Sequence, residues 1–242
     1  MRKLKVLWLA LLLLPCTALA QWQIGNRSFY PTTSGGTTPT LDGSICVNPN
    51  LGSAESISCT FSVPTAGDTI VVGMASEESG TFTVTDSNGK TYTQIWTASD
   101  PTTPVFEAMF YLPNSASGSI TVTGTITVSG GEMGIWAQPI KGANTSTPLD
   151  STFSSGFVAT SSGSVANGNC GTARTPSQAN TLIFSTGFWD NVTPSVGANY
   201  TLLNSTDFFY VQTWSQITAA PTNGAWVSST DDWVVGCAGF HS

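Results

Sequence analysis

The chain has a single histidine, His241, one position from its end, and only 9% of its 242 residues are charged. A hydrolytic triad needs an imidazole held by a carboxylate and shielded by structure. His241 reads as a solvated tail residue, so no triad is expected. Basic residues number only seven. So few cations cannot neutralise a run of phosphates, which argues against nucleic acid and anionic lipid as partners. There is no C-x-x-C pair, and with one histidine the common zinc sites are excluded. Long apolar runs are missing too: the unbroken one at 6–14 is about half the ~20 residues of a helical membrane span. No window carries a 3.6-residue period, so little helix is expected.

That short apolar run has a meaning of its own. Arg2, Lys3 and Lys5 precede it, Pro15 ends it, and Ala18-Leu19-Ala20 supplies a small-x-small cleavage site. Together these read as a signal peptide over 1–20. Cys16 follows Pro15, where a lipoprotein site would have a small residue, so lipidation is not expected. Cleavage after Ala20 would leave four basic residues (Arg27, Lys90, Lys141, Arg174) against all fourteen acidic ones, a formal charge of −10. It would also leave four cysteines, Cys46, Cys59, Cys170 and Cys237. An even count in an exported chain reads as two disulfides with three possible pairings. We favour Cys46–Cys59 and Cys170–Cys237. The expected location is extracellular or periplasmic, with no membrane insertion.

The Thr/Pro/Gly tract at 31–40 has no periodicity, and residues 21–44 read as a flexible lead-in. From residue 45 to 242 a single domain is expected. Its β-rich runs fall at 56–63, 69–75, 81–85, 91–97, 105–112, 120–128, 133–140, 180–185, 200–203, 208–218, 225–228 and 233–240, separated by turn signals. Asn88-Gly89 supplies the positive φ of a tight hairpin between two of them. At 120–128, Ile120, Val122, Ile126 and Val128 alternate with Thr121, Thr123, Thr125 and Thr127. Residues 69–74 are nearly continuous in apolar side chains, as suits a central strand covered on both faces. The fold class is therefore all-β: an antiparallel, jelly-roll-like β-sandwich of two facing sheets and roughly ten to thirteen strands. No strict internal repeat is visible.

Several turn and strand motifs are familiar. Gly67-Asp68-Thr69-Ile70-Val71-Val72 leads to Val84-Thr85-Asp86-Ser87-Asn88-Gly89-Lys90-Thr91-Tyr92. Lys141-Gly142-Ala143-Asn144, Thr147-Pro148-Leu149-Asp150 and Pro176-Ser177-Gln178-Ala179-Asn180-Thr181-Leu182 follow, and Ala238-Gly239-Phe240 sits in the last strand. Over about residues 56–240 the chain resembles secreted bacterial β-sandwich modules of surface and multi-domain extracellular proteins. The resemblance implies fold and location and carries no activity.

Chemistry is sparser. Glu107 and Glu132 are candidates for the paired carboxylates of a sandwich glycoside hydrolase. Glu132-Met133-Gly134-Ile135-Trp136 is similar to the nucleophile strand of small jelly-roll cellulases, although strand glutamates are also ordinary on a wet sheet face. The seven tryptophans left after cleavage offer sugar-stacking platforms, although most indoles in a sandwich fill its core. Trp189, followed by Asp190 and Asn191 at a strand end, is the expected ligand-binding cluster. A structural calcium would use Asp86-Ser87-Asn88-Gly89 or Asp231 with Asp232; the first is explained by its hairpin, the second as a charged turn. The threonine row Thr121, Thr123, Thr125 and Thr127 would offer hydroxyls to ice or a crystalline polymer, though threonine is favoured on exposed strands anyway. Asn26, Asn144, Asn191 and Asn204 are glycosylation sequons, relevant only in a glycosylating host. The expected function is a non-catalytic binding or surface-structural module with polysaccharide or a cell-surface component as partner. The alternatives are the hydrolase and a purely architectural component.

Overall fold

The computed structural model describes residues 36–242, apart from 51, 53, 101–104, 128–130, 155–156, 190–191 and 207–208. The expected signal peptide, residues 21–35, Asn26, Val128, Asp190 and Asn191 lie outside the described residues. The strands are β1 (Thr40–Leu41), β2 (Cys46–Asn50), β3 (Ser56–Val63), β4 (Thr69–Ser76), β5 (Phe82–Asp86) and β6 (Thr93–Ser99). They continue with β7 (Phe106–Leu112), β8 (Gly118–Ile126), β9 (Met133–Lys141), β10 (Val158–Val165) and β11 (Thr181–Trp189). The last are β12 (Ser195–Val196), β13 (Thr201–Thr206), β14 (Phe209–Gln216), β15 (Trp226–Val227) and β16 (Asp231–His241). Among the described residues the only helical element is a single 3₁₀ turn at Ser151–Phe153, capped by the Asp150 carboxylate.

Every strand pairing is antiparallel, and the chain is an all-β sandwich. Sheet I runs β1-β9-β4-β7-β6, with β2 also on β9; sheet II is β3-β8-β5; sheet III is β10-β16-β11-β14-β13; β12 and β15 form a short ribbon. The expected two facing sheets are extended by further layers. One core joins Ile57, Phe61 and Val122 of sheet II to Ile70, Val72 and Phe110 of sheet I. The opposite face of sheet I (Val71, Met109, Trp136) packs on Phe184, Val211 and Phe240 of sheet III. The far side of sheet III (Ile183, Val235, Cys237) is closed by Phe153, Phe157 and Trp226 from the connecting loops and the ribbon. Burial on both faces explains why β4, β9 and β11 are nearly continuous in apolar residues.

The layers also reveal a repeat. The main path of sheet I is ordered β1-β9-β4-β7-β6 and sheet III β10-β16-β11-β14-β13, so each strand on that path has a counterpart in sheet III by chain order. The ribbon β12-β15 corresponds to the β5-β8 pair of sheet II, while β2 and β3, the two strands joined by Cys46–Cys59, have no counterpart. The molecule is a topological tandem whose main sheets pack back to back. The repeat is carried by strand order, which no fixed sequence period records.

Both favoured disulfides are present. Cys46–Cys59 ties β2 to β3, and Cys170–Cys237 ties the segment before β11 to β16. The stretch read as a flexible lead-in needs correcting at its end. Thr40 and Leu41 pair with Lys141 and Ile140, and the Asp42 amide donates to the Pro139 carbonyl, so 36–44 belong to the folded unit. Local polarity hid this, because sheet pairing needs only backbone groups and one half-buried side chain, Leu41.

Candidate functional site

The outer face of sheet II is built by alternation. In β3 the residues Ile57, Cys59, Phe61 and Val63 point inward and leave Ser56, Ser58, Thr60 and Ser62 exposed. In β8, Ile120, Val122 and Ile126 are buried, and Ser119, Thr121, Thr123 and Thr125 face out. In β5, Phe82 and Val84 turn in while Thr83 and Thr85 turn out. Every outward position of the sheet is therefore Ser or Thr, and none carries a charge. Strand register aligns them in rows: Ser56, Thr125 and Thr83; Ser58, Thr123 and Thr85; Thr60 and Thr121; Ser62 and Ser119.

Rungs cross these rows. The hydroxyls of Ser58 and Thr123 lie 2.8 Å apart, those of Thr60 and Thr121 2.8 Å, and those of Thr83 and Thr125 2.5 Å. Each pair fixes two rotors that would otherwise be free, so six of the ten hydroxyls of the grid are ordered. Its spacing is about 4.8 Å across strands and about 6.7 Å along them. In the sequence alone, the β8 row is the one that stands out. The Ser-x-Ser-x-Thr-x-Ser pattern of 56–62 carried the same signal, but register across strands 60 residues apart was needed to assemble it.

The expected aromatic platform is elsewhere. Trp189 is only 3% exposed, with Tyr210 and Trp226 edge-on to it at centroid distances of 5.5 and 5.3 Å. A Cβ on Gly187 or Gly168 would approach its ring to 2.6 Å, so both glycines clear space for the indole. Sheet III is covered on both faces, and a strand-end tryptophan there fills the core. Trp96, Trp136, Trp226 and Trp233 are buried as well; Trp214, half-buried against Tyr200, is the most exposed of the described indoles.

The two glutamates are not displayed in an open groove. Glu107 is fully buried between sheets I and III, where Thr186 Oγ1 donates to its Oε1 at 2.8 Å and Oε2 has no partner. Burial pushes its carboxyl up to about 8, against a lesser opposing effect from the Thr186 bond. Glu132 is half-buried just before β9. A groove of about 560 Å³ runs between the disulfide-linked edges, with 43–47 on one wall and 60–62 with Pro64 on the other; neither glutamate and no charged side chain lines it.

A second acid pair lies at the foot of β4. Asp42 accepts from Thr65 Oγ1 at 2.8 Å and meets Lys141 Nζ at 3.4 Å, and the Thr65 bond leads in holding its carboxyl below the usual range. Asp68, 2% exposed, is pushed up to about 7, first by burial and then by Asp42 beside it. Its Oδ2 finds no hydrogen-bond partner.

The remaining candidates are structural. Asp86 Oδ1 accepts from the amides of Asn88 and Lys90, with Gly89 at φ +72°, so the carboxylate closes its own hairpin. Asp231 Oδ2 accepts from the Val192 amide. Among the described residues, no three His, Cys, Asp or Glu side chains gather as metal ligands. His241 is not the solvated tail residue expected. It ends β16, is 8% exposed, pairs with Thr181, and exchanges backbone hydrogen bonds with Pro148 and Asn144.

Fold and surface together define an antiparallel β-sandwich protein with one neutral, hydroxyl-studded outer face. No protein-family model, curated protein or solved structure matches the chain.

Proposed function

We propose that this protein is an exported, non-catalytic binding module whose partner is an uncharged polysaccharide, met by the outer face of sheet II. The observation that carries this reading is the charge-free hydroxyl grid on an otherwise acidic protein. Hydroxyls donate and accept, so they suit a ligand that is itself a dense field of hydroxyls. Export is supported by the basic, apolar and small-residue order of 1–20 and by two disulfides, which persist in oxidising compartments. No helix among the described residues is long and apolar enough to cross a membrane, which is compatible with release after cleavage. The resemblance to secreted bacterial surface modules points the same way. The glycosidase reading loses ground because Glu107 faces Thr186 in a closed core.

The test is retention on insoluble polysaccharides, comparing the mature protein with Thr121→Lys/Thr123→Lys. The double variant places two charges in the grid and should lose retention while keeping its melting temperature. Equal retention of both proteins, or of neither, would remove the reading.

A further inference from the structure

We infer that the sheet II face recognises the ordered, crystalline surface of its neutral polysaccharide rather than a single dissolved chain; this rests on the reading proposed above. The first reason is relief. Every side chain on the face is Ser or Thr, so nothing stands far above the sheet, and no aromatic ring is available to stack on one sugar. A lone glycan is held by being surrounded, in clefts that cover most of its surface. This face surrounds nothing.

The second reason is order. Three rungs tie six of the ten hydroxyls on neighbouring strands, so that part of the grid is organised before anything binds. Such pre-organisation lowers the entropy lost on contact, but only for a partner presenting matching groups at fixed intervals. A dissolved chain must be straightened to do so, whereas a crystal face already repeats in two dimensions. Each contact is weak, and ten hydroxyls engaged together add up only against a surface of comparable extent.

Charge complementarity supplies the third reason. The face is neutral in a chain of formal charge −7, so an uncharged surface meets no like charge there and needs no counter-ion. The tandem architecture provides an internal comparison. In the place of sheet II, sheet III has the β12-β15 ribbon of two residues per strand, which exposes Ser195 and an apolar Val227 at 55%. The fold therefore does not by itself generate a hydroxyl grid.

The experiment measures depletion of the disulfide-intact mature protein by microcrystalline cellulose, crystalline chitin, acid-swollen amorphous cellulose and a soluble cello-oligosaccharide. Thr121→Val/Thr123→Val serves as the variant, since it removes hydroxyls while keeping shape. The expected result is retention on at least one crystalline solid, weaker by roughly tenfold on amorphous or soluble forms, with a similar roughly tenfold loss in the variant. Circular dichroism and melting temperature establish that the variant is folded; if it is not, Ser58→Ala/Thr85→Val replaces it. Equal affinity for amorphous or soluble forms would overturn the crystalline inference and leave polysaccharide binding standing. Retention on none of the four would overturn both. Inhibition of ice growth without polysaccharide retention would likewise overturn both, and would assign the face to a different ordered solid.

Discussion

Glu107 is the residue whose chemistry departs furthest from its surroundings. In the unfolded chain its carboxyl ionises near 4.5, and in the fold near 8, so between those values only the native state holds the proton. Stability must then fall as pH rises through that window, by at most about 1.4 kcal/mol per unit from this group. Asp68 acts in the same direction over its own window, from 3.8 to about 7. Urea unfolding between pH 5 and 8.5 should show declining stability, flattened above pH 7 in Glu107→Gln; an undiminished slope in that variant would count against the assignment. Trp189 is the residue-scale test of packing. Trp189→Ala should cost about 3–5 kcal/mol, the range for emptying a buried aromatic site, whereas a ligand platform would tolerate it. Local reading placed Trp189 at a strand end, correctly. It missed that loops and a ribbon cover that end, because those covering residues (Phe153, Phe157, Trp226) come from distant parts of the chain.

Strands were legible wherever large apolar residues alternated or ran together. The runs at 56–63, 69–75 and 133–140 are strands with almost those bounds. β10 was missed because Val-Ala-Thr-Ser-Ser-Gly-Ser-Val has little to alternate, and β1, β2 and β12 because they are short or polar edge pieces. Their pairing is decided by neighbouring backbone, which composition does not encode. The disulfides act on such weakly specified elements. Cys46–Cys59 fastens β2, an edge strand, to β3, and closes a loop of 13 residues, worth about 3 kcal/mol by chain entropy. Cys170–Cys237 closes 67 residues, worth about 4 kcal/mol. Paired Cys→Ser variants should therefore both melt lower, the second pair more so; calorimetry giving the reverse order would show that local strand anchoring outweighs loop entropy.

At the scale of the whole molecule, the tandem explains why sheet I is buried on both faces in a chain with so few charges. Residues 36–150 contain sheets I and II complete, together with their own disulfide. Alone they would expose the face that carries Val71, Trp96, Met109, Trp136 and Ile140, now covered by sheet III. A contiguous apolar patch of this kind is rarely left open on a monomer. The missing partner, sheet III, has the same strand order as sheet I, so a second copy of sheet I is a natural substitute. The 36–150 fragment is accordingly expected to form a twofold dimer through that face, and Met109→Asp to block the association, because a charge placed there would be buried without a counter-charge. Sedimentation equilibrium decides the matter: a folded, monodisperse monomer of the unmodified fragment would mean that the first half is self-sufficient and that sheet III covers it for another reason.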